Sequence, residues 1–286
     1  MSGKIMITGA SGFIGSALVS YLKKEGEEVL PIDMNDLDLC DADAVNAYPA
    51  DGIGHIIHLA GITFVPRSWE EPAEFVRVNT GATLHMLEYC RVHKIPMTYI
   101  SAYIYGQPER LPIKESDPVR PNNPYAKSKH LAEQLCEFYA KEFGVKVSVI
   151  RPFNVFGIGQ KENFLIPKII KQVLFEDAIR VMDVTPYRDY IYLEDLVRGI
   201  YFTTQKVQDY DVFNLGSGEA YSVREVVDLT QKIAGTDKDV ITESAPRKNE
   251  MNKVLADVSH AREVLGWEPQ ISLEEGLRRI IADQRG

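Results

Sequence analysis

The chain has 286 residues, 45% of them apolar and 26% charged, a globular composition that suits one large domain or two closely joined ones. Its 32 Lys and Arg against 41 Asp and Glu leave a net charge of −9, which excludes a basic nucleic-acid binder. An anionic ligand must then be held by a few local cations or by backbone amides. The three cysteines (Cys40, Cys90, Cys136) lack metal or disulfide spacing, and no run of uncharged apolar residues is long enough for a membrane helix. The first residues pass straight into Ile5-Met6-Ile7 with no signal-peptide layout. The expectation is a cytoplasmic protein with no metal, no nucleic-acid partner and no membrane partner.

In chain order, Ile- and Val-rich runs alternate with helix-period stretches. Buried strands are expected at Lys4–Thr8, Val29–Asp33, His55–Leu59, Met97–Ser101 and Val147–Arg151. Helices are expected at Gly12–Glu25, Glu74–His93 and Pro124–Phe143, the last opened by Pro124 and stopped by Gly144. Alternating βα units predict an α/β fold, a Rossmann-type doubly wound parallel sheet with helices on both faces. The proline-rich stretch Gln107–Asn123 is long for a loop and is expected to border a site. Beyond about residue 155 the alternation loosens. Short strands at Ile179–Met182 and Val212–Leu215 mix with helices opening at Ser222 and Ser272, each with a Glu three residues on in a capping-box pattern. This predicts a smaller mixed α/β lobe: residues 1–153 with 188–218 form the dinucleotide-binding domain, and 154–187 with 219–286 form the substrate lobe.

The first strand runs into Thr8-Gly9-Ala10-Ser11-Gly12-Phe13-Ile14-Gly15. Glycines between a strand and a helix give a tight turn, let backbone approach a pyrophosphate, and present helix N-terminal amides to negative charge. The spacing is Gly-x-x-Gly-x-x-Gly, and such turns also serve plain strand–helix packing. The second strand ends at Asp33, where a carboxylate can take both ribose hydroxyls of NAD. Met34-Asn35-Asp36 supplies no Arg for a 2′-phosphate, so NAD is favoured over NADP.

Tyr125 and Lys129 lie one turn apart on one helix face. A free tyrosine has a pKa of about 10 and is a poor base, but a neighbouring ammonium and a positive nicotinamide ring both favour the phenolate. Tyr-x-x-x-Lys alone is common in helices. Ser101, however, ends the fourth strand at the edge where parallel sheets bind ligands, and its hydroxyl can hold the oxygen that passes between alcohol and ketone.

Together with His58-Leu59-Ala60-Gly61, Asn79, Ser101-Ala102-Tyr103-Ile104-Tyr105-Gly106, Asn123-Pro124-Tyr125-Ala126-Lys127-Ser128-Lys129, Arg151-Pro152-Phe153-Asn154, Arg188-Asp189-Tyr190 and Leu265-Gly266-Trp267-Glu268-Pro269, these features resemble the extended short-chain dehydrogenases/reductases. The resemblance is to the NAD-dependent nucleotide-sugar epimerase/dehydratase family, of UDP-glucose 4-epimerase type, over nearly the whole chain. It implies that Tyr125 is the catalytic base and acid, that Lys129 lowers its pKa and holds the nicotinamide ribose, and that Ser101 bonds the reacting sugar oxygen. It also implies that Gly9, Gly12, Phe13, Ile14, Gly15 and Asp33 hold the cofactor, that Asp38 and Leu39 lie by the adenine, and that Leu59, Ala60, Gly61, Asn79 and Phe153 line it. Thr63, Ser101, Tyr103, Asn154, Leu165, Arg188, Tyr190, Arg247 and Glu250 are the implied contacts to a nucleoside-diphosphate sugar. Two guanidinium groups, Arg188 and Arg247, suit a diphosphate inside an acidic protein.

The family's dehydratases need an acid pair directly after the Ser/Thr; Ala102 and Tyr103 stand there, so dehydration is disfavoured. Asp33 leans the expectation to a 4-epimerase that passes through a transient 4-keto sugar. An NAD(P)H-dependent reductase of NDP-4-keto-6-deoxysugars is the alternative, and a non-catalytic NAD-binding protein a third. Helices Glu74–His93 and Pro124–Phe143 are apolar on more than one side; one face covers the sheet, and the resemblance implies that the other pairs with a second subunit in a homodimer.

Overall fold

The structure is a computed structural model that describes residues 3–242 and 251–286. The first half runs β1 (Lys4–Thr8), α1 (Phe13–Lys24), β2 (Val29–Ile32), α2 (Ala42–Ala47), β3 (Ile53–His58), α3 (Val65–Glu70), α4 (Pro72–Phe75), a π-helical turn (Val76–Gly81), α5 (Ala82–His93), β4 (Met97–Ile100) and α6 (Pro124–Phe143). The second half runs β5 (Val147–Pro152), β6 (Asn154–Phe156), α7 (Leu165–Phe175), β7 (Ile179–Val181), β8 (Tyr187–Tyr192), α8 (Leu193–Gln205), β9 (Tyr210–Leu215), β10 (Ala220–Ser222), α9 (Val223–Ala234), β11 (Val240–Thr242), α10 (Ser259–Leu265) and α11 (Leu273–Arg285).

Six strands form one parallel sheet in the order β2-β1-β3-β4-β5-β9. Successive side chains alternate between its faces, and the strands are apolar on both because helices cover both. Met6, Ile56, Met97, Tyr99, Val147 and Val149 pack under α2, α5 and α6. Ile5, Ile7, Ile57, Ile100, Ile150, Phe213 and Leu215 pack on the other face under α1, α8 and α10, where fully buried Trp267 joins them. The strand order reverses between β1 and β3, which opens a crevice at the carboxyl ends of the strands. Gly9, Asp33, Leu59, Ser101 and Phe153 all follow strand ends at that edge.

The smaller lobe has its own core around Phe156, Ile169, Ile170, Tyr190, Val226, Val227 and Leu277. Its strands form a β10-β8-β6 sheet and a β11-β7 pair. The boundary expected at residue 188 falls differently in the sheets. β8 pairs with β6 and β10, and the chain returns to the six-stranded layer only with α8 and β9. Buried Asp189 fixes this crossover: its carboxylate accepts from the Ser217, Gly218 and Ala256 amides and from the Ser217 hydroxyl.

Two local expectations are modified. Ser222 and Glu225 form a reciprocal capping box, but at Ser272 only half of one forms, because the Glu275 carboxylate turns to Arg279 instead. The helix expected over Glu74–His93 is broken into α4, the π turn and α5. A π turn holds one extra residue per turn and is common at functional sites. Here it carries Asn79 and Thr80, whose side chains bond Ser128 on α6. Among the described residues no helix is long and apolar enough to cross a membrane.

Candidate active site

The glycine turn has little room to vary. Gly9 has φ +71°, and a Cβ there would lie 2.9 Å from Ala60 backbone atoms; at Gly15 it would lie 2.2 Å from the Gly9 carbonyl oxygen. α1 starts at Phe13 after Gly12 with no side-chain cap, so its first amides keep the hydrogen-bonding capacity that a helix N-terminus offers an anion. Phe13 and Ile14 are half-buried at this start. The Asp33 carboxylate is drawn against the turn, where the Ser11 amide donates to both oxygens at 3.1 and 3.0 Å. This cradle fits a dinucleotide: backbone can approach a pyrophosphate over the glycines, and a carboxylate stands at the ribose end.

Further along the edge, Leu59 and Ala60 are half-buried and Gly61 is exposed. A relay fixes this stretch. The Ala60 amide donates to Thr8 Oγ1, Thr8 bonds His58 Nδ1 at 2.7 Å, His58 Nε2 meets Thr83 Oγ1 at 3.2 Å, and Thr83 donates to the Asn79 carbonyl. Thr83 uses its proton on Asn79, so His58 carries its hydrogen on Nε2. Burial pushes the His58 pKa down to about 3, with the Lys129 charge a smaller cause, which keeps the ring neutral. The Asn79 amide brackets Ile62, accepting from its N–H at 2.9 Å and donating to its carbonyl at 3.0 Å, and also donates to Ser128. Asp38 and Leu39 are turned differently from one another. Exposed Asp38 accepts from the Cys40 amide, while the Leu39 side chain is buried in the core and its carbonyl bonds His85.

α6 brings Tyr125 and Lys129 to the same edge. Asn123 caps its start by accepting from the Ala126 amide at 2.8 Å, Pro124 occupies the first turn, and Gly144 ends it at φ +68°. Lys129 Nζ donates to the Ile100 carbonyl at 2.7 Å and lies over the Tyr99 ring, beside Ser101 in the chain. Ser101 is buried, and its hydroxyl oxygen has no hydrogen-bond partner among the described residues. A buried hydroxyl left this way at a ligand edge is the acceptor-donor that a bound alcohol or ketone oxygen satisfies.

The expected ionisation of Tyr125 counts on both the Lys129 ammonium and a positive nicotinamide ring; the chain alone shows a different balance at the Tyr125 phenol. Its pKa is raised, not lowered: burial is the largest cause, followed by the nearby Tyr103 phenol. Desolvation disfavours the phenolate, and burial also pushes the Lys129 pKa down to about 8. Lys129 directs Nζ to a backbone carbonyl, and it is not among the causes acting on Tyr125. The chain by itself therefore presents Tyr125 as a protonated phenol.

The residues expected to meet a nucleotide sugar are dispersed. Tyr103 stacks on buried Phe153 at 5.6 Å and donates to Asn154 Oδ1 at 3.2 Å, while Asn154 Nδ2 donates to the Asp189 carbonyl. Tyr190 is buried beside them, its hydroxyl without a partner among the described residues. Arg188 is half-buried, with Nη1 donating to the carbonyls of Tyr187 and Met251. Leu165 opens α7 half-buried, and Thr63 is exposed past the β3 end. Arg247 and Glu250 lie outside the described residues.

Sequence reasoning missed the buried ion pair of Arg151 and Glu133, whose closest atoms are 2.6 Å apart. A signal existed: Arg151 is the sole charge in the apolar run Val147–Pro152, and Glu133 falls between Ala132 and Cys136 on the sheet-facing side of α6. Charges so placed demand a partner.

A doubly wound sheet with a glycine turn, an acid after the second strand, and a Ser at the carboxyl edge next to the carbonyl that receives Lys129, with Tyr125 one turn earlier on the same helix, defines an extended short-chain dehydrogenase/reductase enzyme. The chain belongs to the NAD dependent epimerase/dehydratase family, whose model matches residues 5–216. It is 30% identical to GDP-6-deoxy-D-mannose reductase of Pseudomonas aeruginosa over 99% of this chain and 97% of that protein. The solved structure of RMD from Pseudomonas aeruginosa complexed with NADPH superposes with a TM-score of 0.91 at 29% identity, covering 100% of both chains. That of the Thermus thermophilus UDP-glucose 4-epimerase complexed with NAD gives 0.90 at 27% identity over 99% of each.

Proposed function

We propose that the chain is a nucleotide-sugar 4-epimerase that retains NAD and regenerates it in every cycle. The observation that carries the reading is the Asp33 carboxylate, held against the glycine turn by the Ser11 amide. A carboxylate there accepts from both ribose hydroxyls and repels a 2′-phosphate. NAD would rest over Gly9, Gly12 and Gly15 with its pyrophosphate at the start of α1, between Asp33 with Asp38 and Leu39 at one end and Lys129 at the other. Leu59, Ala60, Gly61, Asn79 and Phe153 would line it. When bound, it supplies a reversible hydride acceptor.

The chain's own groups handle the proton and the orientation. Ser101 bonds the reacting sugar oxygen, and Tyr125, favoured as phenolate once a positive nicotinamide ring and the Lys129 ammonium stand beside it, would take the hydroxyl proton as the sugar is oxidised and return it as the ketone is reduced. Lys129 places a positive charge beside that exchange and holds the nicotinamide ribose. Thr63, Tyr103, Asn154, Leu165, Arg188 and Tyr190 would hold the nucleoside diphosphate and sugar at the smaller lobe, and Arg247 and Glu250, outside the described residues, would complete the set. Ala102 and Tyr103 supply no acid pair, which leaves dehydration without its catalysts.

A second reading, reduction of an NDP-4-keto-6-deoxysugar, is supported by the similarity to the Pseudomonas aeruginosa reductase and to its NADPH-bound neighbour. One assay separates the two. The protein is incubated with UDP-, dTDP-, GDP- and CDP-sugars, with and without NADH or NADPH. Conversion with no net consumption of reduced cofactor is the expected result; product formed only with one equivalent of reduced cofactor consumed makes the chain a reductase.

The proposal extends to a homodimer. Val92 on α5 and Phe138 and Phe143 on α6 are 54%, 50% and 50% exposed. The two Phe rings contact each other, and Arg91 lies over Phe143. Exposed aromatic surface on paired helices suits an isologous four-helix seam. Phe138→Glu is expected to sediment as a monomer where the unaltered chain sediments as a dimer; equal masses for both argue against this seam.

A further inference from the structure

We infer that Arg151, through Tyr105 and Glu133, is a positioning residue that sets Ser101 against Tyr125. The assignment rests on the catalytic reading above and adds residues that reading does not use.

A closed circuit of buried contacts links these residues. The Arg151 guanidinium donates from Nε and Nη2 to the Glu133 carboxylate on α6, at 3.0 and 2.6 Å for the shortest contacts. From Nη1 it donates to the Tyr105 hydroxyl at 2.8 Å and to the Glu115 carbonyl at 3.2 Å. Tyr105 passes its own proton to Asn214 Oδ1 on β9 at 2.6 Å. Tyr105 belongs to the segment that leaves β4 through Ser101, and the Ser101 amide is tied to the carbonyl of Ile150, the residue before Arg151. The residue before Ser101, Ile100, receives Lys129 Nζ from α6. The segment Ile100–Tyr105 is therefore held to α6 at two places, by Lys129 near its start and by Glu133, one turn further along the helix, through Arg151 at its end. Tyr125 lies one turn before Lys129 on the same helix.

A planar guanidinium presents its N–H groups at fixed angles, so it can bind the carboxylate and the phenol together; a lysine ammonium cannot reproduce that fork. Arg151, Tyr105, Glu133 and Asn214 are all buried, with Arg151 at 6% exposure and Tyr105 at 2%. Burial of so polar a set is costly unless each group is bonded, which fits a constraint on geometry better than a gain in stability. A displacement of about 1 Å between reacting groups costs about 10²-fold in rate.

Tyr105→Phe removes one hydroxyl and leaves the Arg151–Glu133 pair. Its kcat, measured per NAD-binding site, is expected to fall about 10- to 100-fold, with KM for the nucleotide sugar and affinity for NAD within about threefold. Arg151→Lys is expected to lower kcat further at similar KM, and Arg151→Lys with Tyr105→Phe to be no worse than Arg151→Lys alone. A lowered melting temperature with unchanged kcat per site marks a purely structural role and overturns the assignment, as does a raised KM with kcat unchanged. Should Arg151→Lys not fold, Tyr105→Phe decides alone. Tyr125→Phe in the same assay tests the underlying reading separately: if it keeps activity, that reading fails whatever the Tyr105 result.

Discussion

Replacing Tyr125 with Phe is expected to lower turnover by about 10²- to 10⁴-fold while the protein still folds and still binds NAD. The Tyr125 ring meets Phe75 edge-on at 6.3 Å, a contact that Phe reproduces. Helix capping by Asn123 and Pro124 does not involve the phenol. On the proposed reading, what is lost is the hydroxyl that exchanges a proton with the sugar oxygen, while Lys129, which spends one of its three N–H donors on the Ile100 carbonyl, keeps its place. Steady-state assays at saturating sugar, with the melting temperature measured alongside, give the result. Survival of more than about a tenth of the activity removes Tyr125 from the role of acid and base.

Gly15→Ala is expected to lose NAD binding by about 100-fold or more and to melt at a lower temperature. An added Cβ would lie 2.2 Å from the Gly9 carbonyl oxygen and 2.8 Å from that of Ala10. Both are backbone atoms, so the turn itself has to open, and no rotamer change relieves the clash. Opening it moves the amides at the start of α1 away from a pyrophosphate and displaces Ser11 from Asp33. Calorimetric titration with NAD reads the loss. An unchanged affinity places the dinucleotide elsewhere.

The elements at the dinucleotide edge are legible because they depend on short-range rules. Strands covered on both faces read as unbroken apolar runs, and Pro124–Phe143 is bounded by a proline and a glycine at the positions where the structure starts and ends α6. Ser101, Asp33 and the glycines can be picked out because parallel strands send their carboxyl ends to one edge. The break of the helix at Val76–Gly81 is not legible, since it depends on Asn79 reaching Ile62 and Ser128, contacts made across the fold.

The sequence by itself determined the parallel layer, the glycine turn with its acid, and the placing of Tyr125 and Lys129 on one helical face, because each follows from local periodicity or from the chemistry of a turn. Only the tertiary structure decided the charge states and the alignment of the site. Whether a phenol is acidic depends on how much water its neighbours exclude, and in the chain alone burial raises the Tyr125 pKa where the ammonium one turn along had suggested a lowering. Likewise Arg151 finds Glu133 and Tyr105 only when β5, α6 and the segment after β4 are packed together, and a partner's identity across such contacts is not written in the spacing of either.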